Sequence, residues 1–273
     1  MRSMHSSQNR SRKAAREKKR TTVVTMFITG LNTNTETIME KNQDVITKLA
    51  QLKLKLIGQK ITPGFAKFPM STDEAVLGIE TAFKMEVEKR GNTFVDNEEL
   101  QSHIRQIAEL FTKPTCKFGI MLCGGVGNGK STMMYALQNL IRALEIPNNG
   151  NTTFSTYGMR VESAKFIYNQ VRVDSQEYRQ IQNANMLGID DLGEEETILL
   201  DYGNRIAPVI DILSYRYNRM LFTMVTTNLT PPQIRTVYGV RIADRFNEMM
   251  LVLHYKSPSF RTPKPNPANA EKQ

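Results

Sequence analysis

The chain has 273 residues, enough for one domain of about 100–200 residues with a helical extension. Hydrophobic residues make up 40% of it, which supplies a core and excludes wholesale disorder, and no apolar run approaches the ~18–20 residues that span a bilayer. Of the net charge of +9, residues 1–20 hold +7 and residues 254–273 hold +3, leaving −1 for Thr21 to Leu253: a nearly neutral body with a basic arm and a basic tail.

Residues 1–22 read as a disordered basic arm. The arm has no apolar h-region and so is not a secretory signal. A mitochondrial presequence is disfavoured too, because Met1, Met4, Ala14 and Ala15 give almost no apolar face. Cys116 and Cys123 lack His or Cys partners at metal-ligand spacing, which fits reduced thiols and a cytoplasmic protein. Residues 23–113 read as a helical N-terminal region and a candidate partner-binding segment. Thr33 and Glu36 have capping-box spacing, and Ile38, Val45, Ile46, Leu49, Leu52 and Leu56 continue the pattern to Gly58. After a linker at Thr62-Pro63-Gly64, Ser71 and Glu74 repeat the box. Val76, Ile79, Phe83 and Val87 then share one face up to Gly91, and a further helix runs from about Asn97 to before Pro114.

From residue 114 to 255 strands alternate with helices, the pattern of a parallel sheet covered on both faces. Phe118–Cys123, Thr152–Tyr157, Met186–Ile189, Leu221–Thr227 and Met250–Leu253 are the predicted strands. Helices are expected around Met134–Leu144, Val161–Val171 and Ala207–Tyr217, the last with Pro208 in its first turn. Residues 256–273 form the basic tail.

Gly124-Gly125-Val126-Gly127-Asn128-Gly129-Lys130-Ser131, followed by Thr132, fits the phosphate loop G-x-x-x-x-G-K-[ST] between a strand and a helix. Glycines let backbone amides wrap a phosphate, and the helix N-terminus adds unpaired N–H groups. Lys130 would bridge β- and γ-phosphates, and the Ser131 hydroxyl would bind Mg²⁺. Met186 to Ile189 ends in Asp190 and Asp191, on the ligand side of an open α/β sheet. Asp190 would complete the Mg²⁺ shell, and Asp191 would orient, or take a proton from, the attacking water. Glu194, Glu195 and Glu196 read as a solvated run, with Glu194 near enough to keep in view. Asn228, at the tip of Leu221–Thr227, is the candidate γ-phosphate sensor; the alternative is a turn Asn. Arg241 and Arg245, four apart, share a helix face. They are either arginine fingers aimed at a neighbour's γ-phosphate or a surface pair near Asp244 and Glu248.

Fifty-five positions separate Ser131 from Met186, room for a helix, a strand and another helix, and so for an extra strand between the phosphate-loop strand and the acidic strand. That layout resembles the additional-strand P-loop ATPases rather than a small-molecule kinase. Taken with Ile189 to Gly193, Thr226 to Leu229 and Tyr238 to Arg245, the chain resembles the DnaC-like and IstB-like branch of the AAA+ ATPases over roughly Lys117 to Leu253. The resemblance implies an AAA+ P-loop fold without a full C-terminal lid, since 28 residues follow Arg245. It implies ATP and Mg²⁺ as ligands, nucleotide-dependent homo-oligomers, single-stranded DNA, and a replicative helicase or, alternatively, a transposase as partner, with no membrane. A reading of another class is a nucleotide-gated DNA-binding module with negligible turnover.

Overall fold

The computed structural model describes residues 45–55, 64–148, 155–201 and 204–260. Two units emerge, Met1–Ile61 and Thr62–Gln273. In the first, residues 45–55 form helix α1, as the apolar spacing predicts, with Val45, Ile46, Leu49 and Leu52 exposed. The basic arm, the Thr33–Glu36 box, Leu56, Gly58 and Thr62-Pro63 lie outside the described residues, as do Asn151 to Phe154 and residues 261–273.

The second unit opens with α2 (Thr72–Lys89), whose Ser71–Glu74 capping box is formed as expected, and α3 (Glu98–Thr112), capped by Asn97. Both helices share the core of the sheet rather than forming a region apart. Ile79 and Phe83 of α2, and Ile104, Ile107 and Phe111 of α3, are buried in one continuous apolar cluster with the strands. Phe111 stacks on Phe68 at 4.5 Å and meets Phe222 at 5.5 Å. α2 and α3 thus belong to the unit Thr62–Gln273 together with the sheet.

The chain continues through β1 (Gly119–Gly124), α4 (Lys130–Ala143), β2 (Met159–Ser163), α5 (Ala164–Val173), α6 (Ser175–Asn183) and β3 (Met186–Leu192). A hairpin of β4 (Leu199–Asp201) and β5 (Asn204–Ile206) follows, then α7 (Pro208–Asn218), β6 (Phe222–Thr227), α8 (Pro231–Tyr238), α9 (Val240–Met249) and β7 (Met250–Tyr255). The five-stranded sheet has the order β2-β3-β6-β1-β7, and every pairing is parallel. From β1 the chain crosses to the far edge at β2, then returns through β3 and β6 and passes β1 to β7. Right-handed crossovers therefore put α4 on one face and the later helices on the other. The reversal beside β1 is a topological switch point, where open α/β sheets bind ligands.

One predicted strand is displaced. Thr156 makes only an isolated antiparallel bridge to Pro147, and the edge strand is Met159–Ser163, where a helix start was expected. The helix begins at Ala164 because the Ser163 side chain accepts a hydrogen bond from the Phe166 amide. As an edge strand, β2 keeps charged residues. Arg160 donates to Glu162 and Glu177, so its apolar signal is weak.

Arg216 of α7 is fully buried. It donates from Nε to Thr223 Oγ1 at 2.9 Å, from Nη1 to the Ala184 carbonyl at 2.6 Å and the Gln182 carbonyl at 3.1 Å, and from Nη2 to the Phe222 carbonyl. The guanidinium thus joins the end of α6 to the start of β6, at the cost of a desolvation that pushes its pKa down to about 9. Arg216→Met is expected to leave these acceptors unpaired and to cost about 3 kcal/mol. A thermal melt would then fall by roughly 6–12 °C in a unit of this size. An unchanged melting temperature would remove the clamp from the account.

Candidate nucleotide-binding site

β1 ends in the phosphate loop, whose geometry depends on glycine at specific points. Gly124, Gly127 and Gly129 all have positive φ, at 152°, 82° and 94°. A Cβ on Gly124 would lie 2.1 Å from the Tyr255 carbonyl oxygen. Gly129 is the N-cap of α4 and supplies no side-chain cap, so the first-turn amides of that helix face the loop without one. Lys130 is 5% exposed. Its Nζ donates to the carbonyls of Gly124 and Gly125 at 2.9 and 2.6 Å, to Asn128 Oδ1 at 3.1 Å and to Asn228 Oδ1 at 3.0 Å.

The predicted residues of three strands thus converge. Asn228, one residue past β6, reaches Lys130 directly. Asp190, at the end of β3, accepts from Ser131 Oγ at 2.8 Å. The sequence pattern missed Thr226, whose Oγ1 donates to Asp190 Oδ1 at 2.6 Å and accepts from the Asp191 amide at 2.9 Å. Register brings it there, because β3 and β6 are neighbours in which Ile189 pairs with Val225 and Leu192 with Thr227. The register of β3 against β6 shifts between Ile189 and Leu192, and Asp191 has φ 55°. That irregularity sets two adjacent carboxylates in different surroundings: Asp190 is buried against Ser131, while Asp191 is exposed in the cleft wall.

Asn128 is 2% exposed and donates from Nδ2 to the Tyr255 carbonyl at 3.0 Å, so its side chain braces the loop against β7. Val126 is exposed at the loop crest. Thr132, next to Ser131, accepts from Arg90 Nη1 at 2.8 Å, and Arg90 also pairs with Glu86 at 3.0 Å. Arg90 is another residue that spacing gave no reason to select.

The two arginines separate. Arg241 is exposed on α9. Arg245 is 7% exposed, lies 4.7 Å above the Tyr217 ring and donates to Asn218 Oδ1 at 3.4 Å. On their shared helix face, α9 presents Arg241 outward and packs Arg245 on α7.

A cleft of about 890 Å3 joins the phosphate loop to Asp191, Glu194, Asn228, the α2–α3 turn and the segment after β7. The sequence assigns residues 256–273 to a basic tail. Instead, residues 256–260 return across the loop, and the Phe260 amide donates to the Gly127 carbonyl at 2.9 Å. Glu99 of α3 holds the segment by accepting from the Lys256 amide at 2.8 Å, the Ser257 amide at 3.1 Å and Ser257 Oγ. Burial alone would raise the Glu99 pKa, but these bonds and nearby His103 outweigh it and hold it below the ordinary value. Burial lowers that of His103, which lies 4.6 Å from the Tyr255 ring.

Both depressed values favour the less protonated folded state, so stability is complete above the unfolded values and falls on acidification. His103 contributes a loss below about pH 6.5, and Glu99 a further loss below about pH 4.3. Glu99→Gln is expected to lower the melting temperature at pH 7 and to show a shallower acid limb than the parent below pH ~4.3. Parallel acid limbs in the two proteins would refute this.

The donor set is chemically specific. A buried lysine, glycine-shaped amides and an uncapped helix start suit a polyphosphate. A hydroxyl and a carboxylate 2.8 Å apart are hard-oxygen ligands of the kind Mg²⁺ takes, one or two from protein and the rest from phosphate and water. Among the described residues no three His, Cys, Asp or Glu side chains converge as a metal site, and no helix is long and apolar enough to cross a membrane.

No family model and no curated protein matches the chain. Among solved structures it is similar to the DnaC helicase loader, at 20% identity over 60% of this chain and 93% of that one, with a TM-score of 0.47. It is also similar to DnaI, at 18% identity over 63% and 89% of the two chains, with a TM-score of 0.48. Similarity to DnaA of Aquifex aeolicus, bound to AMPPCP, is 13% identity over 59% and 48%, with a TM-score of 0.42. Independently of these, β6 stands between the phosphate-loop strand β1 and the acidic strand β3, the extra-strand layout expected from the sequence. With that sheet and its phosphate loop, the chain has an α/β P-loop NTPase fold.

Proposed function

We propose that this chain binds Mg-ATP, hydrolyses it to ADP and phosphate, and uses the cycle as a DnaC-like loader that delivers a replicative helicase to single-stranded DNA. The observation that carries the reading is the meeting of Lys130, Asn228, the Ser131–Asp190 pair and Asp191 in one cleft. The loop amides from Gly125 to Thr132, with Lys130, hold the phosphates. Ser131 and Asp190 would hold the ion, and Thr226 fixes the Asp190 rotamer. Bound there, Mg²⁺ supplies neutralisation of phosphate charge. Asp191 orients a water and takes its proton as the water oxygen bonds to the γ-phosphorus and the bond to the leaving β–γ oxygen breaks. Asn228, already bonded to Lys130, is placed to register the γ-phosphate.

Arg241, exposed on α9, is the better residue to reach a neighbour's site in an oligomer, while Arg245 anchors the helix that carries it. Mixing an Arg241→Ala protein with a Lys130→Ala protein is therefore expected to restore part of the turnover that neither shows alone. No recovery at any protein concentration would refute trans action. Steady-state ATP turnover, with and without single-stranded DNA, tests the reading as a whole. Turnover absent in both conditions, with binding intact, would favour the nucleotide-gated module. A transposase as partner, as in IstB-like proteins, would be the reading if an Asp191→Asn protein holding ATP retained one instead of a helicase in a pull-down.

A further inference from the structure

The Glu194–Glu196 run was expected to be solvated, yet Glu195 is 9% exposed. Its Oε2 accepts from the Gly193 amide at 2.9 Å, and its Oε1 accepts from the hydroxyl of Tyr238, itself 4% exposed. Among the described residues no Lys or Arg forms a salt bridge with this carboxylate. Burial and then Glu195 push the Tyr238 phenol pKa up, so Tyr238 is a lasting donor.

The two ends of this bond sit at significant places. Glu195 closes the loop that begins at Asp191. Tyr238 is the last residue of α8, followed by Gly239 at φ 86°, where a Cβ would meet nothing within 4 Å. Backbone conformation rather than crowding thus asks for glycine at the joint into α9, which exposes Arg241 two residues later. The same loop is tied to β6 twice more: Thr226 holds Asp190 and the Asp191 amide, and Thr227 Oγ1 donates to the Leu192 carbonyl at 2.6 Å while accepting from the Leu229 amide at 3.0 Å. A buried carboxylate costs more than an apolar side chain that fills the same space.

We infer that Glu195 and Tyr238 are a positioning pair that couples the loop carrying Asp191 to the helix carrying Arg241, so that a change at the γ-phosphate side of the site moves α9. The inference rests on the ATPase reading above. Neither residue touches the reacting atoms.

The test uses the full chain, Tyr238→Phe, Glu195→Gln, and the apolar pair Tyr238→Phe/Glu195→Leu. The apolar pair leaves no unpaired buried carboxylate, so its melting temperature should exceed that of Tyr238→Phe alone. Three quantities are read: ATP affinity, the kcat and KM of turnover, and hydrogen exchange across α9 with and without ATP. The apolar pair is expected to keep ATP affinity within about twofold, to lose about tenfold in kcat with little change in KM, and to lose the ATP-dependent exchange change in α9. Glu195→Gln, which keeps an acceptor for Tyr238, is expected to retain most of both. A stable apolar pair with parental kcat, or with the α9 response intact, overturns the inference. A parent that shows the α9 response without turnover refutes hydrolysis and leaves the coupling standing. A parent that binds ATP with no α9 response refutes the coupling alone, and one that binds no ATP refutes both.

Discussion

Lys130→Ala is expected to weaken ATP binding by roughly 10²–10³-fold, the largest effect on affinity in the site. A lysine beside phosphate in a partly desolvated cleft contributes about 4 kcal/mol at an effective dielectric near 20, which is close to three decades in Kd. Burial adds to this, because Lys130 is 5% exposed and water cannot replace its charge readily. The substitution also leaves the Gly124 and Gly125 carbonyls and Asn228 Oδ1 without this donor. A modest fall in stability, about 1–2 kcal/mol, is therefore expected alongside the binding loss. Two measurements separate these effects. Calorimetric titration with ATP reads the affinity, and a melt without nucleotide reads the fold. Lys130→Arg keeps the charge but not the point geometry, so it should fall between parent and alanine. An alanine variant that binds ATP within a few fold of the parent would remove Lys130 as the phosphate ligand and weaken the whole functional reading.

The parts of this site that could be read in the chain are those set by local spacing. Gly124 to Ser131 is contiguous, and Asp190, Asp191 and Asn228 follow recognisable apolar strands, so their placement at strand ends needed no tertiary knowledge. What stayed illegible depends on distant partners. Thr226 looks like any strand threonine until register sets it against Asp190. Glu195 sits in an acidic run that composition marks as solvated, and its bond to Tyr238, 43 positions away, shows only in the fold. Glu99 and Ser257 are separated by 158 positions, so residues 256–260 looked like the start of a basic tail. The edge strand Met159–Ser163 carries Arg160 and Glu162, which dilute the alternation that marks a strand. The arginines show the limit from the other side. Spacing of four put them on one helix face, but a face 40° wide can hold both a buried and an exposed residue once the helix lies on α7.

Asp191→Asn is expected to lower kcat by roughly 10²–10⁴-fold while ATP affinity stays within about threefold. The choice of asparagine matters because Asp191 has φ 55°. Asn is among the few residues that adopt this left-handed backbone readily, so the substitution removes the charge and leaves the loop. Alanine would add about 1–2 kcal/mol of backbone strain and confuse loss of the carboxylate with collapse of the turn. Asp190→Asn is the contrasting variant. Asp190 accepts from both Ser131 and Thr226, and its loss should reduce Mg²⁺-dependent binding and turnover together. The pair of variants therefore splits the two adjacent carboxylates by kinetics: Asp191 through kcat, Asp190 through affinity as well. Normal turnover by Asp191→Asn would exclude it as the catalytic carboxylate. If turnover is lost and binding kept, the variant holds ATP, and the protein it then retains in a pull-down decides between a helicase and a transposase. Retention of neither, with single-stranded DNA bound, would favour the nucleotide-gated module over both.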